Sequence, residues 1–312
     1  MLLLLIFAII QPAFAATEGT STGTATVNNV GPSISSPELW DSGETTDKNN
    51  TALTVNTEYH VNFTVTDSNS LATLHNATIK MWESGYSTEG GSDAETNHYT
   101  FTWVESTDTW SSSPSGFITT GNCKDPGTGS SATSFEFTLA FDLSKVANYT
   151  SSNTAWKIKI YVYDDSGSSA SDATLMYGVA FYSEISISDT THGWTSLTPG
   201  DTNKQIDSPV DSDIDFTIVA NGNWKVRTKG SGDLTSGSNT IALSNVKIHK
   251  DTLGSAASLT TSYADLGGLT NQSPPTSESG TATYCTLWIT VPNGTPPGDY
   301  TYTLYLQIVQ QS

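Results

Sequence analysis

Alternating apolar and polar residues recur along the chain and predict β-strands. From Trp156 to Tyr163, Trp, Ile, Ile and Val alternate with Lys and Tyr, a period of two that places one side of a strand against a core and the other in water. Residues Tyr59–Thr66 repeat this pattern, and both runs end in turns that contain Asp and Ser. No segment keeps apolar residues at helical spacing for three turns. The pattern therefore predicts an all-β protein.

The predicted strands form two groups that meet near residue 183. The first group consists of Ile34–Trp40, Tyr59–Thr66, Ala77–Trp82, His98–Val104, Phe135–Phe141, Trp156–Tyr163 and Thr174–Phe181. The second group consists of Ile185–Ser188, Val210–Ala220, Trp224–Thr228, Thr240–Ile248, Ala282–Val291 and Tyr300–Val309. Since about 150 residues can bury one core, we predict two tandem antiparallel β-sandwich domains, residues 33–183 and 184–312.

The N-terminal residues predict export. Residues 1–15 have an apolar core, Leu2–Ile10, followed by the small residues Ala13 and Ala15, which is the pattern of a secretory signal peptide. This apolar run is shorter than the ~20 residues of a membrane-spanning helix, so we expect a secreted, extracellular or cell-surface protein with no transmembrane span. Residues 16–32 are rich in Ser, Thr, Gly and Asn and predict a flexible arm or an exchangeable strand.

Charge narrows the range of partners. The chain has 12 basic and 31 acidic residues, a net charge of -19, which repels the phosphates of nucleic acids. We therefore expect no nucleic-acid partner.

The five histidines are scattered without a metalloenzyme motif, and no nucleophile with a positioned partner can be identified. The prediction is a non-enzymatic protein without catalytic or cofactor-binding residues.

One acidic turn is a candidate metal site. Asp164, Asp165 and Asp172 lie in and after the turn that ends the strand beginning at Trp156. Carboxylates at such a turn can share a structural Ca²⁺ with backbone carbonyls, or they can satisfy the backbone of their own turn. Asp211, Asp213 and Asp215 alternate with Val210 and Ile214 and are predicted to be the solvated face of a strand.

Other residues are candidates for modification or ligand binding. Trp110 lies in the long connection Glu105–Ser134, and loops of this length are often functional. An exposed indole ring there could bind a sugar by stacking. Cys123 is predicted to lie exposed in the same loop, and Cys285 to face the second core. Six Asn-x-Ser/Thr sequons are glycosylation candidates, about as many as chance provides: Asn49, Asn62, Asn76, Asn148, Asn271 and Asn293.

Several strand and turn motifs carry a family resemblance. The Phe-x-Val-x-Asp strand end at Phe63–Asp67, the run Trp156–Gly167, and the turns Gly193–Gly200 and Pro297–Thr301 resemble immunoglobulin-like modules of archaeal and bacterial cell-surface and S-layer-associated proteins. The resemblance implies tandem immunoglobulin-like sandwiches and a cell-surface location, and it brings no catalytic residues with it.

These observations lead to two functional expectations. The first is a secreted structural subunit of a cell-surface layer or extracellular filament, which associates with itself or with other cell-surface proteins. Its joint would be the arm, because Ala25 and Val27 alternate with Thr24 and Thr26 as in an edge strand; the alternative is a disordered spacer. The second expectation is a carbohydrate- or surface-binding adhesin module that uses the loop Glu105–Ser134.

Overall fold

The computed structural model describes residues 20–311, so the predicted signal peptide, residues 1–15, and the start of the arm lie outside the described residues. The chain is 43% strand and 5% helical, which confirms the all-β prediction. In the described part the strands are β1 (Ser33–Asp41), β2 (Ala52–Leu53), β3 (Tyr59–Thr66), β4 (Leu74–Glu83), β5 (His98–Val104), β6 (Thr109–Ser113), β7 (Ser134–Phe141), β8 (Trp156–Asp164), β9 (Ser169–Asp172), β10 (Met176–Val179), β11 (Ser183–Ile187), β12 (Lys204–Gln205), β13 (Ile214–Ala220), β14 (Trp224–Gly230), β15 (Leu234–Ser236), β16 (Asn239–Ile241), β17 (Val246–His249), β18 (Ala257–Ser258), β19 (Ala264–Asp265), β20 (Thr281–Ile289) and β21 (Leu304–Gln310). Short 3₁₀ helices occupy Leu71–Thr73, Glu105–Thr107, Thr120–Asn122, Leu243–Asn245 and Leu253–Ser255.

Two sheets enclose a core in the N-terminal half. One has the order β1-β3-β7, and the other has the order β2-β10-β8-β4-β5-β6, with β9 also paired to β8. All pairings are antiparallel except that of β10 with the two-residue β2. Both sheets contribute to one buried cluster, where the Phe63 and Phe137 rings stack with centroids 5.2 Å apart and Trp103 packs edge-on against Phe137. The alternation in β3 and β8 thus directs their apolar sides into this core.

The C-terminal half has a second buried cluster. One sheet has the order β11-β13-β20-β17-β18, with β12 also paired to β20, and a smaller sheet has the order β19-β14-β21. Trp224, Phe216 and Cys285 are among the buried residues that the two sheets contribute. Strands β15 and β16 form a hairpin that adds Leu234 and Ile241 to the core.

The two halves contact each other through polar groups near residue 183. The backbone N–H of Tyr182 donates to Asn221 Oδ1 at 2.8 Å, and the backbone N–H of Tyr149 donates to the Asn221 carbonyl at 2.8 Å. Ser144 Oγ donates to Glu278 Oε1 at 3.1 Å. We call this set of contacts the junction. It lies where the sequence pattern changes from the first predicted strand group to the second.

Several predicted segments differ from the structure. The connection Glu105–Ser134 is predicted as a loop, but it contains β6, and Ile118 and Lys124 form two further bridges to β7. Backbone groups of this polar segment pair with the edges of the sheets, and this pairing does not depend on apolar side chains. The predicted strand Thr240–Ile248 is interrupted by a 3₁₀ turn. The predicted strand from Val210 starts only at Ile214, and Val210 is 99% exposed, since the segment before Ile214 forms a turn.

No helix among residues 20–311 is long and apolar enough to cross a membrane.

Candidate functional site

The N-terminal arm is held to the rest of the chain only near its base. Residues 20–31 are exposed and lie outside every strand, and Val27 is 85% exposed. Asn29 Nδ2 donates to Asp164 Oδ2 at 2.7 Å, and the backbone N–H of Val30 donates to Asn69 Oδ1 at 2.7 Å. The chain becomes buried at Pro32. The arm therefore leaves the molecule at the turns that end β3 and β8.

The Asp164 carboxylate is the hydrogen-bond acceptor that organises this point of departure. Its Oδ1 accepts from the backbone N–H groups of Ser166 (3.0 Å) and Ser168 (2.7 Å) and from Ser166 Oγ (2.7 Å). Burial acts to raise the pKa of Asp164, but hydrogen bonds from Asn29, Ser166 and Ser168 together outweigh burial and hold the pKa below its ordinary value. The carboxylate is thus kept charged by groups of the protein itself.

The structure does not bring the three predicted metal ligands together. Asp165 Oδ1 lies 3.3 Å from His75 Nδ1, and Asp172 Oδ1 accepts from the backbone N–H of Thr174 at 2.9 Å. Because β9 folds back along β8, Asp172 pairs with Ile160, about 13 Å along the strand from Asp164. Within residues 20–311, no group of three or more His, Cys, Asp or Glu side chains is placed to hold a metal ion. The prediction that Asp164, Asp165 and Asp172 form one site is therefore wrong.

Trp110 does not lie in an open loop. It belongs to β6 and pairs with Trp103 of β5. Its ring packs edge-on against Phe137 with centroids 6.5 Å apart, and its Nε1 donates to Asp125 Oδ2 at 2.9 Å. The indole is half-buried against the N-terminal core. The prediction that Trp110 lies in a loop is corrected, because the residue belongs to a strand that its polar sequence does not indicate.

Both cysteines are free. Cys285 is buried in the second core as predicted, and burial raises the pKa of its thiol to about 12. Cys123 is half-buried and not exposed: its Sγ accepts from the backbone N–H of Ala140 at 3.4 Å, and burial raises its pKa to about 11. Since the thiolate is the reactive form, neither cysteine is activated as a nucleophile.

The six sequon asparagines differ in access. Asn62 is only 5% exposed. Strand β3 is the central strand of its sheet, and the turn after β1 brings Glu44 over the face of β3 that carries His60 and Asn62, with Glu44 2.9 Å from His60 Nδ1. The prediction of Asn62 as an accessible glycosylation site is therefore corrected. Asn76, Asn49 and Asn148 are half-buried. Asn271 and Asn293 are exposed and remain the accessible candidates.

A cavity of the C-terminal half lies at its end far from the junction. It has a volume of about 560 Å³ and a floor of core residues that includes Leu234, Ile241 and Ile289. His192 Nε2 lies 3.0 Å from Tyr302 Oη at its side, and burial lowers the pKa of His192. The turns Gly193–Gly200 and Pro297–Thr301 contribute to the rim. Chain segments about a hundred residues apart build this cavity, which we call the terminal cavity, so no local pattern signals it.

A groove continues from the terminal cavity between β11 and β21. A second cavity of about 320 Å³ lies there and shares His192 and Tyr302 with the first. The core-facing side chains of β21, Leu304, Leu306 and Ile308, are only half-buried. Ile187 of β11 is 38% exposed. We call this surface the lateral groove; the C-terminal core is open to solvent along it.

The arm and the terminal cavity lie on opposite sides of the junction. Strand β8 starts at Trp156, whose Nε1 donates to the Asn148 carbonyl beside the junction, and ends at Asp164 under the arm, about 26 Å away. Strand β20 starts at Thr281, which pairs with Ile218 near the junction, and ends at Ile289 on the cavity floor. The arm and the terminal cavity thus each lie about one strand length from the junction.

The fold and these surfaces define the chain as an all-β protein with two buried cores, an exposed arm and an open C-terminal groove. No protein-family model matches the chain, and no curated protein is found to be similar to it.

Proposed function

We propose that this protein is a secreted, non-enzymatic structural subunit of a cell-surface layer or extracellular filament, built from two tandem immunoglobulin-like sandwiches. The observation that carries the proposal is the exposed arm, residues 20–31, whose hydrogen bonds to the rest of the described chain come from Asn29 and Val30 near its base. An exposed extended segment can add a strand to a neighbour's sheet and so gains main-chain hydrogen bonds without a large flat interface.

The charge distribution of the arm supports association between copies. The chain carries a net charge of -19, but no charged residue occurs from Gly19 to Pro37. Two copies approaching through their acidic surfaces repel each other, whereas a neutral arm avoids this cost. Residues 20–31 also expose Val27 and Val30, so the arm offers the apolar side chains that such a contact needs.

A second candidate function is carbohydrate or surface binding. The terminal cavity favours it, because its volume is that of a small-molecule site and Trp194 and Tyr300 contribute to its lining. This surface differs from the loop Glu105–Ser134 that the sequence indicated. A glycan array with the wild type and Trp194→Ala tests this function: a sugar bound only by the wild type would support it.

The subunit proposal is tested by removing the arm. The mature chain from Ala16 onward is compared with the chain from Ser33 onward by sedimentation velocity and negative-stain microscopy. We expect oligomers or fibres from the first and monomers from the second, with unchanged β-sheet circular dichroism as the folding control. A mature chain that stays monomeric at high concentration would overturn the proposal, and fibres from both chains would show that the arm is not the joint.

A further inference from the structure

Resting on the proposed function, we infer that the lateral groove is the acceptor for the arm of a second copy, which pairs as an antiparallel strand with β21. The two surfaces complement each other: along the groove the C-terminal core is open to solvent, and the arm has exposed apolar side chains that are packed against no core.

The free edge of β21 has the backbone groups that this pairing needs. Ser231 N–H donates to the Thr303 carbonyl at 2.9 Å, and Gln311 N–H donates to the Asn223 carbonyl at 2.8 Å, so the odd-numbered residues of this segment bond to the β14 side. Hydrogen-bonding directions alternate along an antiparallel strand. The N–H and C=O groups of Leu304, Leu306 and Ile308 therefore point to the opposite edge, where no strand among residues 20–311 pairs with β21.

The direction of the added strand follows from the placement of arm and groove. Strand β21 starts beside the terminal cavity and ends at Gln310, which pairs with Trp224 near the junction. An arm that enters from the cavity end of the molecule has its anchored base, Asn29 and Val30, outside the groove and its N-terminal residues inside. Its chain direction therefore runs outward, antiparallel to β21.

The side chains of the arm fit this register. With Val27 beside Leu304, Ala25 lies beside Leu306 and Gly23 beside Ile308. All three then face the open core, while Thr24, Thr26 and Asn28 face solvent. The side chains decrease in size from Val to Gly toward the junction end of the groove, where β11 starts and β21 ends.

The resulting assembly is a fibre. The arm leaves one end of the molecule and the groove opens at the other, so each copy donates to one neighbour and accepts from another. Such a head-to-tail contact joins two different surfaces and does not close on itself unless the rotation between copies forms a ring.

Two matched substitutions in the full mature chain test which side of the arm is buried. Val27→Asp places a charge on the inward side and Thr26→Asp places the same charge on the outward side. We expect Val27→Asp to raise the concentration for half-assembly at least ~10-fold and Thr26→Asp less than ~3-fold. Both positions are exposed in the single copy, so both variants keep the fold. Equal effects of the two substitutions would overturn the proposed strand register.

A disulfide between two copies tests the acceptor. In a hydrogen-bonded antiparallel pair the Cα atoms lie ~5.5 Å apart, within the range for a disulfide. Copies with Val27→Cys, mixed with copies with Leu304→Cys and oxidised, should form a linked dimer at least ~10-fold more efficiently than copies with Thr26→Cys. Peptide mass spectrometry identifies the link, and unchanged circular dichroism of Leu304→Cys is the control for folding.

The outcomes separate this inference from the proposed function. Fibres of the wild type without preference for the link between positions 27 and 304 overturn the groove as acceptor and leave the structural subunit standing. A wild type that remains monomeric and forms no such link overturns both.

Discussion

Asp164→Asn is the sharpest test of how the arm is anchored. The Asp164 carboxylate accepts three hydrogen bonds from its own turn on Oδ1 and one from Asn29 Nδ2 on Oδ2. An asparagine can keep its oxygen toward the turn, but its amide then faces the Asn29 amide, and two donors oppose each other. The charge is also lost for the three bonds that remain.

The magnitude follows from these contacts. A hydrogen bond to a charged group contributes about 1.5–3 kcal/mol to stability, and the bond to Asn29 is only partly buried, so we expect a loss of about 2 kcal/mol. Because about 1 kcal/mol corresponds to 2–4 °C for a large domain, the melting temperature should fall by about 4–8 °C. The exposed neighbour Asp165 supplies the matched control: Asp165→Asn should change stability by less than about 0.5 kcal/mol.

Thermal unfolding with EDTA and with an excess of Ca²⁺ is the assay. The wild type should melt at the same temperature in both, because the Asp164 oxygens already accept from protein donors. A Ca²⁺-dependent melting temperature that Asp164→Asn abolishes would refute the hydrogen-bond account.

A second prediction concerns acid. The pKa of Asp164 is depressed in the folded state. The stability that its carboxylate contributes is therefore present above the ordinary pKa near 3.9 and is lost as pH falls through the folded pKa.

Three further predictions address the two cores and the junction. Phe63→Ala, at a fully buried position, should cost about 3–5 kcal/mol in a urea titration. Burial lowers the pKa of His192, so the unfolded chain binds its proton more readily and stability should fall as pH drops below about 6.5; His192→Asn should reduce this dependence in melting curves. Glu278→Gln weakens the acceptor for Ser144 Oγ and the Lys145 N–H, and should separate the unfolding transitions of the two halves in calorimetry.

The strongest alternation predicted strand positions well. Strands β3 and β5 begin and end where the sequence pattern places them, and β8 extends one residue past its predicted end to Asp164. Their inward residues are large and lie between two neighbouring strands, so the period of two is imposed along their full length. The local pattern and the packing agree in these strands.

The short strands could not be predicted in this way. Strand β6 reads Thr-Trp-Ser-Ser-Ser, with one apolar residue, and β9 reads Ser-Ala-Ser-Asp. Both form because a neighbouring strand offers free backbone groups, and backbone pairing does not require a particular side chain. The errors at Trp110 and Asp172 have this common origin, since the pattern predicts a loop or a turn for each residue and each lies on a paired strand.

Asn62 shows that alternation assigns a face but not its exposure. The pattern correctly places Asn62 on the face of β3 opposite Val61 and Phe63. That face is nevertheless covered, because the turn after β1 brings Glu44 to within hydrogen-bonding distance of His60. The approach joins residues that are 16 apart in sequence, and nothing in either segment alone indicates it.

Strands β8 and β21 differ in how deeply their inward residues are buried, and this difference bears on assembly. Both strands alternate apolar and polar residues, and the sequence predicts a core strand in each case. In β8 the inward residues are at most 1% exposed, because strands pair along both of its edges. In β21 the inward residues stay half-buried, because β14 is the only strand within residues 20–311 that pairs with it. The sequence of β21 is that of a strand with two neighbours, and the second neighbour is what the arm of another copy would supply.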